Sequence, residues 1–355
     1  MKIAVGMDLH ARKSTAFAVP ANASIEMKTD EHTFLDNFNK EFSSFPSNEE
    51  GMSAMVGFLK GNDTHILVEN SSKTHEIYWI LKDLGMNVTV AFAADLYRIT
   101  KSNKKTDRHD AIELAGYMRR KLNGEIEFRT SFMPSREWLM KRELCRTLYD
   151  ESSFLSDTRR QIRSHMLLHG ITHQASDIVG ASSLKYLGSL GDPVLNSLTI
   201  RASESKKRMR SLEKEIHKQF EDDALYNLLR TIDGVGQVIA AYIAGLTIDI
   251  ERFHNAKEFS AFFGLVPRMR ESADSSPRCH ITKRGDDVAR EMIFQAALWH
   301  ICHDTDGKSG ITRAFRRLHG GGKGMAFKKA MTASSRKMAE LMFAVMKSGR
   351  PYEPK

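Results

Sequence analysis

Cysteine is scarce in this chain: three in 355 residues, Cys145, Cys279 and Cys302, odd in number and far apart. They build neither a disulfide framework nor a paired C-x-x-C zinc pattern, so a reducing cytoplasm is the expected compartment. No apolar run approaches the roughly 20 residues that a membrane-spanning helix needs. The opening stretch MKIAVGMDLHARKS is broken by Asp8, His10, Arg12 and Lys13, too early for a signal peptide. A Walker A loop is also missing. Where Lys323 follows Gly320, Gly321 and Gly322, Arg317 stands in place of the first required glycine and Gly324 in place of Ser or Thr. Nor does any glycine follow Asp8 through Lys13, where an actin-like ATPase needs a Gly-rich phosphate turn.

What is present is an ordinary globular balance, 41% hydrophobic and 27% charged, which excludes a disordered or fibrous chain. The length implies two or three domains. Lys and Arg number 53 against 44 Asp and Glu, a net charge of +9. That excess favours a polyanionic partner, of which nucleic acid is the common one.

Lys2–Val5, Ser14–Val19, Ile25–Met27, His65–Glu69 and Asn87–Phe92 read as strands. Asn48–Leu59, Lys73–Leu84 and Arg108–Leu122 carry apolar residues at helical spacing. A hairpin followed by alternating helices and strands predicts a mixed α/β fold over residues 1–133. The pattern changes at Pro134. From Arg136 to His169 there is neither Gly nor Pro, and Leu148, Leu155 and Ile162 recur every seven residues, a coiled-coil seam. Thr172–Asp192 reads as a turn region, and a second long helix is expected over Ile200–Phe220. Residues 134–222 thus read as a helical arm, for which a structural spacer and a dimerising arm both fit. Residues 223–355 read as a mainly helical third domain. The tryptophans Trp79, Trp138 and Trp299 lie in helical patterns and are expected in the core.

Four acids stand out. Asp8 and Glu69 end predicted strands, and in an open α/β sheet such ends converge on one crevice. Asp107 and Asp110 are three apart at a helix start and share a face. Singly, each fits a turn cap or the acids of a helix first turn. Together they repel unless a cation neutralises them, and Mg²⁺ suits hard oxygen ligands while leaving positions for phosphate. Two such ions can stabilise the attacking and leaving oxygens of a phosphodiester reaction. Arg98, Lys101, Lys104, Lys105 and Arg108 add a basic approach for a nucleic-acid backbone. Further on, Leu229–Ala240 (LRTIDGVGQVIA) fits a helix-hairpin-helix, with Gly234 and Gly236 giving the tight turn and free N–H groups for a phosphate. An ordinary αα-hairpin fits the same residues. The segment FFGLVPRMRESADSSPRCHITKRGD sets Ser272, Ser275 and Ser276 between Arg268, Arg270, Arg278, Lys283 and Arg284. A serine held there could attack a phosphate if a base or metal activated it, and His280 is the base at hand.

In this order GMDLH, LVEN, KKTDRHDA, IDGVG, GLVPR…ITKRGD and FKKAMTASSRKM resemble the DEDD transposases, insertion-sequence recombinases related to Piv-type DNA invertases. The resemblance covers nearly the whole chain. It implies an α/β RNase H-like (RuvC-like) N-terminal domain, a coiled-coil helical arm and a mainly α C-terminal transposase domain. It also implies Mg²⁺ on Asp8, Glu69, Asp107 and Asp110, and a C-terminal serine that joins covalently to DNA. Donor and target DNA, a non-coding bridge RNA that guides the enzyme, and a dimeric or tetrameric homo-oligomer follow from the same resemblance. The family's serine usually sits in a Ser-Gly segment after GLVPR. Here Glu271-Ser272-Ala273 lacks the glycine, so Ser272 holds the matching position while Ser275 and Ser276 stay open. The rival enzyme is a metal-dependent junction-resolving nuclease, which uses water and needs no Ser272. A non-enzymatic nucleic-acid binder is disfavoured because all four acids are kept.

Overall fold

A computed structural model describes residues 1–22, 28–92, 106–267, 281–322 and 324–353. The expected strand Ile25–Met27 lies outside the described residues. The chain divides into two compact units, Met1–Met133 and Pro134–Lys355.

The N-terminal unit is a five-stranded mixed sheet: β1 (Lys2–Leu9), β2 (Lys13–Pro20), β3 (Phe45–Pro46), β4 (Asp63–Glu69) and β5 (Asn87–Ala91), in the order β3-β2-β1-β4-β5. β2 is antiparallel to β1 and β3, while β1, β4 and β5 run parallel. Strand β1 extends past Val5 to Leu9, so Asp8 sits within the sheet and not beyond a strand end. Among the described residues its helices are α1 (Thr29–Glu41), α2 (Glu49–Phe58), α3 (Thr74–Asp83) and α4 (Asp107–Leu122). Alternation along β1 serves both faces of the sheet. Ile3, Val5 and Met7 join Phe38, Met52, Met55, Ile77 and Leu81 of α1–α3. Ala4 joins Leu67, Leu114, Tyr117 and Met118 on the α4 side. A central strand buried on both faces reads as a continuous apolar run, as Ile3–Met7 (IAVGM) does.

The C-terminal unit is helical among its described residues: α5 (Arg136–Leu168), α6 (Ala181–Gly188), α7 (Pro193–Phe220), α8 (Ala224–Leu229), α9 (Gln237–Thr247), α10 (Ala256–Phe262), α11 (Asp287–His303), α12 (Gly310–His319) and α13 (Phe327–Ser348), with 3-10 turns at Ile250–Arg252 and Gly320–Gly322. Helices α5 and α7 run antiparallel, since Glu151 meets Arg208, Gln161 meets Arg201 and His165 meets Asp192. Their far half has its own core, Leu155, Ile162 and Met166 against Leu187, Leu195 and Ala202. Their near half, through Cys145, Leu148, Ile216 and Phe220, shares the core of α8–α13. Three sequence expectations are corrected. The turn region before Asp192 contains α6. Helix α7 starts at Pro193, seven residues early, because Asp192 caps it and proline is suited to the first helical position. Trp299 is 48% exposed and stacks on His303, so it is not core. No helix among the described residues is long and apolar enough to cross a membrane.

Candidate active site

The acidic site is assembled by one close approach. Gly6 faces α4 so tightly that a Cβ would lie 2.2 Å from both the Ala111 carbonyl oxygen and the Ala115 nitrogen. Glycine on the strand and alanines on the helix bring the two backbones together, and the first turn of α4 arrives over the end of β1. Thr106 fixes that turn, its hydroxyl accepting from the His109 N–H at 3.2 Å. Asp107 and Asp110 both belong to it. On the other side Met7 pairs with Val68 in parallel register, so Asp8 and Glu69 are the next residues of adjacent strands. The Glu69 carbonyl accepts from the Thr74 hydroxyl at 2.7 Å, which ties the end of β4 to α3.

His10 is the residue that sequence reasoning passed over. Its Nε2 lies 3.0 Å from Asp8 Oδ2 and 3.3 Å from Asp107 Oδ1, bridging strand and helix. Among the described residues, the metal-ligating atoms of Asp8, His10 and Asp107 all lie within 4.8 Å of one another, and Glu69 and Asp110 fall outside that group. Burial holds the Asp8 carboxyl above the usual carboxylate range. His10 opposes the shift, and Asp107 and Asp110 add to it by like charge. Asp8 in turn raises the His10 imidazole, more than burial lowers it. A half-buried carboxylate faced by two further acids has the donor chemistry of a divalent-cation site. Arg108 is exposed on the same first turn of α4. Arg98, Lys104 and Lys105 lie outside the described residues.

In the C-terminal unit, α8 and α9 are joined by a turn through Ile232–Gly236. Gly234 has φ +94°, and a Cβ there would lie 2.5 Å from the Ala296 carbonyl oxygen. The turn therefore packs on α11, where His300 Nδ1 donates to the Asp233 carbonyl at 2.9 Å. Gly236 starts α9 with no capping side chain, leaving its first N–H groups open to an anion. The two flanks of the serine segment are zipped together. Pro267 bridges Ile281, the Thr282 N–H donates to the Val266 carbonyl at 2.8 Å, and that of Lys283 to Gly264 at 3.3 Å. A Cβ on Gly285 would lie 2.0 Å from the Phe262 carbonyl oxygen. Arg290 Nη1 then donates to the carbonyls of Phe263, Arg284 and Gly285 at 3.3, 3.2 and 3.1 Å. Lys283 and Arg284 are exposed on this stem. Ser272, Ser275, Ser276 and Arg268 lie outside the described residues.

The residues forming these two structures coincide with two matches to known families. An IS110-type DEDD transposase model matches residues 5–171, and a model of the transposase IS116/IS110/IS902 family matches residues 226–310. The chain belongs to the IS110 family of DEDD transposases. It is 24% identical to the transposase for insertion sequence element IS1111A of Coxiella burnetii, over 78% of this chain and 76% of that protein. It is 31% identical to the transposase for insertion sequence element IS1328 of Yersinia enterocolitica over 25% of this chain and 27% of that protein. Membership makes it a DNA recombination enzyme of an insertion sequence. The first match contains the acids and His10, and the second contains the glycine turn and the serine segment's stem.

Proposed function

We propose that this transposase cleaves and exchanges DNA strands at Asp8, Glu69, Asp107 and Asp110 with Mg²⁺, through a covalent link to Ser272. The observation that carries the reading is the meeting of Asp8 and the first turn of α4 at the Gly6 contact. The strand order 3-2-1-4-5, with β2 antiparallel to β1, supports an RNase H-like (RuvC-like) domain over residues 1–133. Asp8, Glu69, Asp107 and Asp110 would hold the cation, which would supply Lewis-acid polarisation of the scissile phosphate. Asp8, disfavoured as a bare anion by burial, would gain from the cation's charge. The Ser272 hydroxyl loses its proton and attacks phosphorus. The P–O bond to the neighbouring sugar breaks, and that sugar oxygen takes up a proton as a free hydroxyl. A hydroxyl on the exchanging strand then displaces serine, restoring the phosphodiester and the serine side chain.

Arg98, Lys104, Lys105, Arg108, Arg268, Lys283 and Arg284, with the Gly234–Gly236 turn read as a helix-hairpin-helix, would hold the phosphate backbone. Residues 134–222 serve as a coiled-coil arm and 223–355 as the transposase domain, in a dimer or tetramer guided by a bridge RNA. Trapping a reaction on cognate DNA and mapping the adduct by mass spectrometry tests the core of this reading. An adduct on Ser272 that disappears in Ser272→Ala, with binding kept, is the expected result. An adduct on Ser275 or Ser276 moves the nucleophile, and cleavage without any adduct overturns the serine mechanism.

A further inference from the structure

Four carboxylates would form an all-oxygen site, yet the side chain lying between Asp8 and Asp107 is an imidazole. The placement of His10 has a local cause. Its backbone N–H donates to the Lys13 carbonyl at 3.2 Å, closing the β1–β2 turn two residues after Asp8. The ring then reaches back over the end of β1, so that Nε2 meets one carboxylate from the strand and one from the helix.

The distances fit a hydrogen-bonded ion pair and equally two donors sharing an ion. Ligands about 2.1 Å from a metal and at right angles to one another stand about 3 Å apart. His10 Nε2 lies 3.0 Å from Asp8 Oδ2 and 3.3 Å from Asp107 Oδ1. We infer that His10 is a nitrogen ligand of the catalytic cation, giving this site an imidazole beside two carboxylates. The inference rests on the reading of the acids as a metal site and adds a ligand to it. Its chemical consequence is selectivity. Imidazole suits first-row transition ions, whereas Mg²⁺ prefers oxygen and keeps its waters. The site should therefore hold Co²⁺ more tightly than Mg²⁺ by a margin that His10 supplies, while Mn²⁺, which like Mg²⁺ favours carboxylate and water, gains less.

The competing explanation is an ion pair in which the His10 imidazolium neutralises the acids and leaves when a cation enters. The two make opposite predictions for His10→Ala. That variant should fold, because the His10 side chain is 56% exposed. Mn²⁺, Co²⁺ and Mg²⁺ would be titrated into the full-length apoprotein, with free Mn²⁺ read by electron paramagnetic resonance and the other two by competition. As a ligand, His10 gives a nitrogen modulation in the spin echo of bound Mn²⁺ that His10→Ala lacks. Its loss then weakens Co²⁺ at least about tenfold, with Mg²⁺ changing less. His10→Gln, which keeps a side chain of similar reach without the imidazole, should behave like His10→Ala. Unchanged or tighter binding in His10→Ala, or no nitrogen modulation, overturns the inference in favour of the ion pair. Asp8→Asn separates the two levels: if it binds all three ions as the parent does, the metal-site reading fails as well.

Discussion

At the scale of single residues, Gly6 and Asp8 make opposite demands. Gly6 has no side chain because α4 occupies the space, not because its backbone needs glycine. Gly6→Ala should overpack this contact and cost about 1–3 kcal/mol or more. It should also carry Asp107 away from Asp8, so a lower urea midpoint and weaker Mn²⁺ binding are expected together. A stable Gly6→Ala protein with intact binding would mean that the approach does not set the site. Asp8 behaves in the reverse manner. Its pKa is raised in the fold, so its favourable contribution is complete below the ordinary carboxylate value of 3.8 and is lost as pH rises through the raised value. At neutral pH the ionised Asp8 is a liability of the metal-free protein. Asp8→Asn should leave the apoprotein melting temperature unchanged or higher while removing strand cleavage and metal stabilisation. A marked drop in melting temperature would show that Asp8 is there for the fold.

At the scale of elements, the start of α7 depends on Asp192. Its carboxylate accepts from the Val194 and Leu195 N–H groups at 2.8 and 2.9 Å and meets His165 Nε2 of α5 at 2.8 Å. His165 first, then these backbone donors, hold its pKa below the usual range. The stabilisation is therefore present above the ordinary carboxylate value and is lost as pH falls through the depressed one. Asp192→Ala should lower the thermal midpoint at pH 7 and flatten its fall on the acid side. An unchanged acid limb would place the acid sensitivity elsewhere. This element also shows why parts of the fold were hard to read. The seven-residue spacing of Leu148, Leu155 and Ile162 marked α5 because a helical spacing is a local pattern. The Asp-Pro start of α7 was equally local but sat in a Ser/Gly-rich stretch whose composition suggested a turn. Strand β3 is two residues long and owes its existence to pairing with Lys13 and Ser14, a contact far away in sequence. The clamp of Arg290 on three carbonyls was invisible for the same reason. Arg290→Met should leave those carbonyls without a charged donor and destabilise the C-terminal unit by about 1–3 kcal/mol in urea melts. No change in midpoint would show that water replaces the guanidinium at no cost.

At the scale of the whole molecule, charge was the most legible property and the site's composition the least. A surplus of nine positive charges is a sum over the chain and needs no fold to be read. The strand-end and helix-start acids could be picked out because each has a local position, whereas His10 is a lone histidine in a turn until the Gly6 contact brings Asp107 beside it. The surplus charge makes a prediction of its own. If phosphate contacts dominate DNA binding, log affinity should fall linearly with log salt, by about 0.9 for each duplex phosphate neutralised and about 0.7 for single strands. Lys283 and Arg284 are both exposed on the serine segment's stem and are the basic pair best suited to the test. The stem bonds of both residues run through the backbone, the Lys283 N–H to Gly264 and the Arg284 carbonyl from Arg290, so replacing the side chains leaves those bonds in place. Lys283→Gln with Arg284→Gln should therefore keep the melting temperature and reduce the salt slope by about 1.4–1.8, with affinity lost evenly across DNA sequences. A reduced affinity at an unchanged slope, or a loss confined to one sequence, would mean that this pair reads bases and does not hold the backbone.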